Sequence, residues 1–392
     1  MVETADVIVI GAGVQGASLA FHLAHRGVRP VVVERTTIAA GATGRSSGLV
    51  RMHYDRLADA RIAFAALPWF REWDERVGGD CGFTNTGFIQ LVGPAKADDL
   101  RANVADQRAI GIDTEVVTPD RIRDLAPGIR VADDELGAYE PGSGYADPSS
   151  TALGFLRAAR TMGATLVQGA EVRAIDVAGG AVTGIETTAG TFAAPVIVNA
   201  AGGWAGRVAA LAGVSIPVEV WRHDVAYLGA PASVTVPFPV LIDDPNAMYL
   251  RPEGSESILV ALEDHTAADG SPDRETESVE AGFAERVTDR VVRRLPGLSD
   301  GTFRAAHSGQ DGLTPDERPI LGPVGAAGPD GFYLDCGHSG TGFKTAPAVG
   351  LAMAELIVDG SARTVDLEPF ALDRFASGRL LVGEHSYGSQ WR

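Results

Sequence analysis

The chain has 392 residues, of which 45% are hydrophobic and 21% are charged, so its composition is globular rather than disordered or fibrous. Its length predicts two domains, or one large α/β domain with an insertion. The 33 basic and 51 acidic side chains give a formal net charge of −18. So acidic a chain has no general attraction for nucleic acid or anionic lipid, and we expect neither as a partner.

Cysteine usage and apolar runs indicate the compartment. Cys81 and Cys336 are the only cysteines, which excludes a disulfide framework and a four-cysteine zinc site. No cationic signal-peptide start and no apolar run near the roughly 18 residues of a membrane span is found. No cluster of His, Cys and Asp has metal-ligand spacing, so no metal is expected. These features predict a cytoplasmic protein, and they leave its oligomeric state open.

The first elements form a βαβ unit. Residues 6–10 are a short β-branched run bounded by glycine, which predicts a buried parallel strand. A helix is expected from Val14 to Arg26, closed by Gly27, and residues 30–34 read as a second strand. About thirty residues is the usual size of such a unit.

The remaining elements alternate in type along the chain. Helices are predicted at 61–78, 95–110, 147–163, 273–294, 345–360 and 369–379. Strands are predicted at 87–92, twice within 169–190, from 195 into a glycine turn, and at 218–228, 247–251 and 257–262. This order predicts a nucleotide-binding domain from 1–80, 146–216 and 304–392, and a second domain from 81–145 and 217–303. The fold class is then α/β plus α+β: a Rossmann-type domain with an inserted domain built on an antiparallel sheet.

A glycine motif joins the first strand to the first helix. In Gly11-Ala12-Gly13-Val14-Gln15-Gly16 the first glycine permits the tight turn and the second lets the backbone approach a pyrophosphate. The third allows close packing of helix on strand, and the helix N-terminus faces the negative charge. Glu34 ends the second strand about 20 residues later, where a carboxylate binds a ribose diol. Together these features predict a dinucleotide site.

Three further turns of small residues favour FAD over a nicotinamide dinucleotide. They are the segment 40–48 and the turns 200–204 and 337–344. Enzymes of the nicotinamide class usually continue with more parallel βα units, whereas three small-residue turns suit an extended cofactor contacted along its length. The alternative is that each turn merely caps a helix.

These motifs occur together and in order, and on them the chain resembles the D-amino-acid oxidase superfamily of FAD-dependent oxidoreductases. The branch of sarcosine oxidases and their β subunits is the most similar. The resemblance covers nearly the whole chain and is weakest at 90–140 and 215–300. It implies an FAD domain and a substrate domain divided as above. The residues it implies for FAD binding are Gly11, Ala12, Gly13, Gln15, Gly16, Glu34, Arg35, Thr43, Arg45, Ser46, Ser47, Gly48, Val172, Ala200, Ala201, Gly202, Trp204, Gly340, Thr341, Gly342, Phe343 and Lys344.

The resemblance also implies three catalytic residues by alignment, and His53 is added because it lies close to Arg51 along the chain. Arg51 and Lys344 fall where the family binds the substrate carboxylate, although Arg51 also suits a flavin phosphate or a structural ion pair. Lys344 is one of two lysines in the chain, which marks it out, although a surface lysine is the alternative. Tyr249 aligns with an active-site tyrosine, and His53 follows Arg51 closely enough to line the same pocket, as does Tyr54.

Two departures from the family pattern carry predictions. Where relatives attach FAD through cysteine or histidine, this chain has about Gly309 and Arg45, so we predict non-covalent FAD. Where the monomeric enzymes carry a lysine that activates oxygen, residue counting gives Val260. A cation there stabilises the negative charge of superoxide, so its loss favours a dehydrogenase that passes electrons to a carrier.

The expected reaction is oxidation of the C–N bond of a small, sarcosine-like amino acid or N-alkyl amino acid to an imine that hydrolyses. The partners are then a small carboxylate-bearing amine and either O₂ or an electron carrier. Three alternatives stay open: an FAD-dependent 2-hydroxy acid dehydrogenase, the flavin-bearing β subunit of a multi-subunit oxidase, and a non-catalytic flavin-binding or assembly protein.

Overall fold

A computed structural model describes residues 3–263, 271–273 and 278–387, and the backbone of 266–267. Its first layer is a six-stranded sheet that is parallel except for one edge strand. In spatial order its strands are Ile320–Pro323, Phe332–Cys336, Ile197–Asn199, Val7–Ile10, Pro30–Glu34 and Thr165–Gln168. The central strand Val7–Ile10 is buried on both faces, which explains its unbroken β-branched sequence. The predicted Rossmann-type arrangement is confirmed.

Helices cover one face of this sheet. Val14–His25 packs against Pro148–Thr161 and Gly342–Asp359, and Leu57–Arg71 joins the same core. The contact between Val14–His25 and Gly342–Asp359 is close, since a Cβ added at Gly350 would lie 2.3 Å from Ser18 Oγ. This packing fixes the two helices that start at the carboxyl edge of the sheet.

A smaller layer covers the other face. A four-stranded sheet, in the order Glu3–Thr4, Gly190–Ala193, Ala181–Thr187 and Val172–Ala178, packs there with helix Ala205–Leu211. The two strands predicted within 169–190 are therefore both present.

The second main sheet has nine strands within the described part of the chain and is largely antiparallel. Its strands are Phe88–Val92, Glu115–Val117, Leu136–Glu140, Glu219–Gly229, Val240–Asp243, Met248–Glu253, Ser257–Leu262, Thr266–Ala267 and Thr302–Leu313. Phe88–Val92 and Val240–Asp243 form a parallel pair within it. Helices Phe283–Arg294 and Pro119–Leu125 pack on one face of this sheet and form a second core. Helix Ala97–Ala109 packs on the opposite face, where its Leu100 and Val104 join a small core with Val92 and Ala138.

Strand Thr302–Leu313 pairs along Glu219–Gly229 and continues past residue 303, where the sequence predicts a domain boundary. The strand thus links the second sheet to the turn that precedes Ile320–Pro323. The division into domains stays a prediction.

Three predicted helices differ in extent. The helix expected at 61–78 begins earlier, at Leu57, and breaks after Arg71 because Glu72 leaves the helical conformation (φ −113°, ψ 31°); Trp73–Arg76 follows. The helix expected at 273–294 begins only at Phe283, after Gly282 with φ +76°, and residues 274–277 of that prediction lie outside the described residues. The helix expected at 369–379 is two short turns, Glu368–Phe370 and Asp373–Ala376. No described helix is long and apolar enough to cross a membrane.

Candidate active site

An elongated cavity of about 870 Å³ lies between the carboxyl edge of the six-stranded sheet and the second sheet. The turns after strands Val7–Ile10, Pro30–Glu34 and Ile197–Asn199 all line it, as expected for a ligand site in a parallel sheet. Of the residues predicted to bind FAD, those on its wall are Gly11, Gly13, Gln15, Glu34, Arg35, Thr43, Arg45, Ser46, Ser47, Gly48, Val172, Ala200, Ala201, Gly202, Trp204, Gly340, Gly342, Phe343 and Lys344.

Three predicted cofactor residues lie behind that wall. A Cβ at Gly16 would sit 2.1 Å from Gly11 O, so this glycine lets the helix pack on the turn rather than touch a ligand. The amide N–H of Ala12 donates to Glu34 Oε2 (3.0 Å), and the hydroxyl of Thr341 donates to the carbonyl of His338 (2.7 Å). The packing role predicted for Gly16 agrees with this position, and the assignment of Ala12, Gly16 and Thr341 to FAD binding stays a prediction.

The backbone groups at this edge fit a pyrophosphate. Helices Val14–His25 and Gly342–Asp359 both begin at the cavity, and neither is capped by the side chain of its own N-cap residue, although the N–H of Val14 donates to Thr43 Oγ1 (3.0 Å). Uncapped N–H groups and the positive end of the helix dipole favour an anion. Gly202, where φ is +54°, lines the cavity, and a Cβ added there would meet nothing within 4 Å. The Glu34 carboxylate, which accepts from the N–H of Ala12 and of Thr36, retains lone pairs for a ribose diol. The donor set and the shape therefore fit FAD.

An ion cluster closes the end of the cavity near Glu34. The Arg35 guanidinium lies 4.6 Å from the centroid of the Trp204 ring. Asp273 accepts hydrogen bonds from Arg35 (2.8 Å), from the Trp204 indole (2.7 Å) and from Arg207. These donors hold the pKa of the Asp273 carboxyl below its usual range. Asp273 and Arg207 could not be predicted from the sequence, because neither lies in a motif.

Two buried cations line the opposite end. Arg51 follows the short strand Leu49–Val50, is 3% exposed, and donates to the carbonyl of His53. Lys344 lies in the first turn of Gly342–Asp359, is 5% exposed, and donates to the carbonyl of Gly340 (3.2 Å). Both flank the Tyr54 ring, whose centroid is 4.3 Å from the Arg51 guanidinium carbon and 5.7 Å from Lys344 Nζ. Burial and the nearby Arg51 charge lower the pKa of Lys344 well below its usual range.

An aromatic wall from the second sheet faces this end. The Tyr249 hydroxyl forms hydrogen bonds with Ser47 Oγ and with His223 Nε2 (2.8 Å), and the two rings stack with centroids 5.7 Å apart. Burial raises the pKa of Tyr249, so its hydroxyl stays protonated. The ring of Trp221 lies 5.1 Å from that of His223, and both line the cavity. Trp221 and His223 are two residues apart on the predicted strand 218–228, so the sequence predicts that their side chains share one face of the sheet. It does not predict that this face looks towards the cavity.

His53 does not line the cavity, which corrects the prediction that it shares a pocket with Arg51. It is 1% exposed, and its Nε2 forms a hydrogen bond with the Tyr387 hydroxyl (2.6 Å). Burial, together with the Arg51 charge, lowers the pKa of His53 to about 3, so the imidazole is neutral. Tyr54 is likewise buried behind the wall, where its ring contacts the charged groups of Arg51 and Lys344.

Val260, the position that residue counting gives for an oxygen-activating lysine, does not line the cavity. Val260 packs into the second core with Ala226 and Leu250, on the face of the sheet opposite to Tyr249. The partner of Tyr249 on the adjacent strand is Ala261. No lysine other than Lys344 lines the cavity among the described residues, because Lys96 pairs with Asp244 (3.0 Å).

The two positions that the resemblance aligns with covalent attachment sites for FAD are neighbours here. Gly309 and Arg45 both line the cavity, and a Cβ at Gly309 would lie 3.4 Å from Arg45 Cβ. Cys81 and Cys336 are buried and lie off the cavity wall. We expect acid precipitation to release all yellow colour into the supernatant, measured by absorbance. Colour that stays in the washed pellet would contradict non-covalent binding.

The family model for FAD dependent oxidoreductases matches residues 6–356. The chain belongs to this family. It is an FAD-dependent oxidoreductase, as the resemblance predicts. Within the described residues, no group of three His, Cys, Asp or Glu is arranged to hold a metal ion.

Relatives in this family include oxidases and dehydrogenases of amino acids. The chain is 29% identical over 388 residues to glycine oxidase of Geobacillus kaustophilus, covering 95% of this chain and 98% of that protein. It is 27% identical to human mitochondrial sarcosine dehydrogenase, covering 95% of this chain but 42% of that protein. Among solved structures, L-proline dehydrogenase from P. horikoshii has a TM-score of 0.90 at 25% identity, covering 97% of this chain and 100% of that one. The FAD-dependent family of amino acid oxidases and dehydrogenases is thus established, and the predicted sarcosine oxidase-like branch is consistent with it.

Proposed function

We propose that this enzyme oxidises the C–N bond of a small amino acid or N-alkyl amino acid to an imine, which then hydrolyses in water. The observation that supports it is the pair of buried cations, Arg51 and Lys344, on the wall at one end of the cavity. A guanidinium and an ammonium both attract the negative charge of an α-carboxylate, and both donate hydrogen bonds that its two oxygens can accept. FAD, when bound, supplies the redox chemistry by accepting a hydride equivalent from the carbon next to nitrogen.

Burial makes this pair effective in a chain whose net charge is −18. Burial lowers the pKa of Lys344, and repulsion from the Arg51 charge in a site of low dielectric constant lowers it further. A substrate carboxylate relieves that repulsion and stabilises the charged form of Lys344. Binding energy is then concentrated at the carboxylate, and it fixes the orientation of the adjacent carbon.

The aromatic wall orients the rest of the substrate. Tyr249, His223 and Trp221 form an apolar surface with one protonated hydroxyl between two partners. Such a wall excludes water from the reacting bond and limits the size of the substrate's side chain. The amine can then lose its proton in a site whose fixed charges, Arg51 and Lys344, both disfavour a cation.

The test is an anaerobic screen of matched compounds with the purified chain, in which loss of flavin absorbance reports reduction. Glycine, sarcosine and proline are paired with the hydroxy acids glycolate and lactate. We expect amines to bleach the flavin and hydroxy acids not to do so. Bleaching by hydroxy acids alone would establish the hydroxy acid dehydrogenase instead. Activity that appears only with an added subunit would favour the β subunit, and a flavin that nothing reduces would favour the non-catalytic alternative.

The lysine content of the cavity wall bears on which electron acceptor the enzyme uses. Lys344 is assigned to the substrate carboxylate, and no second lysine lies near the aromatic wall among the described residues. We expect the substrate-reduced enzyme to be reoxidised faster by an artificial quinone than by O₂ at equal concentration, as followed by stopped-flow absorbance. Faster reoxidation by O₂ would make the enzyme an oxidase.

A further inference from the structure

Residues 381–387, here called the C-terminal strap, cross the segment that follows Arg51. The carbonyl of Leu381 accepts from Arg56, and its N–H donates to Asp316 (3.1 Å). Glu384 donates its N–H to the carbonyl of Asp55 (3.0 Å) and accepts from the N–H of Leu57 (3.2 Å). The strap therefore fixes the backbone between the cation Arg51 and helix Leu57–Arg71.

The strap ends in a buried contact with His53. Tyr387 is 6% exposed, shares a 2.6 Å hydrogen bond with His53 Nε2, and stacks on that ring with an interplanar angle of 11°. Asn103 holds this end through a hydrogen bond to the carbonyl of His385 (2.9 Å). The apolar side of the Tyr387 ring packs in a small core that includes Leu100 and Val104. The ring is thus held independently of His53.

His53 connects Tyr387 to Arg51, which lines the cavity. Its carbonyl accepts the hydrogen bond from the Arg51 guanidinium, while its imidazole is held by Tyr387. Because the imidazole is neutral and buried, losing its hydrogen-bond partner would leave a polar atom unsatisfied in the interior. The side chain and backbone of His53 would then relax, and the Arg51 guanidinium with them.

We infer that Tyr387 is a positioning residue for the carboxylate site, acting through His53 on Arg51; the inference rests on the proposed role of Arg51. It assigns a function in substrate recognition to a residue that lies off the cavity wall and 336 positions from Arg51 along the chain. The strap thereby couples the last described residues of the chain to the binding of substrate.

Tyr387→Phe keeps the stacked ring and removes only the hydroxyl. Equilibrium titration of the FAD-loaded enzyme with 2-furoate, followed by flavin absorbance, should show a three- to tenfold higher Kd, with unchanged FAD content. The limiting rate of flavin reduction by a saturating amine substrate should change less than twofold. The matched control, Tyr333→Phe, makes the same chemical change at a half-buried tyrosine away from the cavity and should leave the Kd unchanged.

A double-mutant cycle separates positioning from a general loss of stability. In the Arg51→Lys enzyme, which loses the guanidinium, Tyr387→Phe should produce no further change in Kd. An additive effect, or an unchanged Kd in the single variant, would overturn the inference. If Tyr387→Phe fails to fold, Asn103→Ser decides, with a raised Kd in support and an unchanged Kd against. If Arg51→Lys itself leaves the Kd of 2-furoate unaltered, the proposed function fails and not the strap alone.

Discussion

Lys344→Met is expected to weaken the binding of small carboxylate inhibitors more than tenfold, equivalent to about 1.4 kcal/mol or more. The substitution keeps a long buried side chain and removes the ammonium that we assign to the carboxylate. Titration of the flavin absorbance with 2-furoate or benzoate measures the effect. Lys96→Met is the matched control, because Lys96 is the other lysine of the chain and pairs with Asp244 away from the cavity.

The same experiment has a pH dependence whose sign follows from the lowered pKa of Lys344. Below that pKa the ammonium is charged and attracts the inhibitor; above it the amine is neutral and the attraction is lost. Carboxylate affinity should therefore fall as the pH rises through the Lys344 pKa, while both inhibitors stay ionised. The Lys344→Met enzyme should show no such fall between pH 6 and about 10. If carboxylate affinity falls equally with pH in both enzymes, or if Lys344→Met leaves the affinity at low pH unchanged, Lys344 does not bind the carboxylate.

Gly11→Ala is expected to weaken FAD binding at least tenfold and to destabilise the apoprotein by about 2–4 kcal/mol. Gly11 has φ +112°, and an added Cβ would lie 2.5 Å from the carbonyl oxygen of Ala200. Relief requires the turns after Val7–Ile10 and Ile197–Asn199 to separate, and both turns form the wall of the cofactor cavity. Titration of apoprotein with FAD and thermal unfolding of the apoprotein measure the two effects.

Gly27→Ala is the matched control for that change. Gly27 also has positive φ, at +79°, but a Cβ there meets nothing within 4 Å. It should therefore cost only the backbone strain, about 1 kcal/mol, without altering FAD affinity. If both variants bind FAD equally well, the close approach at Gly11 is not what shapes the cofactor site.

The features that sequence analysis predicted depend on residues that are neighbours along the chain. The β-branched run 6–10, the glycine spacing after it and Glu34 predict a strand, a tight turn, a helix and a ribose contact, because each involves residues within one βαβ unit. The motif order then identified the family and FAD. The rarity of lysine singled out Lys344, which the structure places with Arg51 on the wall at one end of the cavity.

Contacts between side chains that are distant along the chain became visible only in the folded molecule. Trp221, His223 and Asp273 reach the cavity although none lies in a motif, whereas His53 turns away to Tyr387. Counting residues to Val260 did not locate a position on the cavity wall, because successive residues of a strand point to opposite faces of the sheet. The pairing register, rather than a residue count, sets which residues face the cavity. Local spacing fixes turns and helix starts, but convergence across two sheets depends on long-range packing, which no short stretch of the sequence encodes.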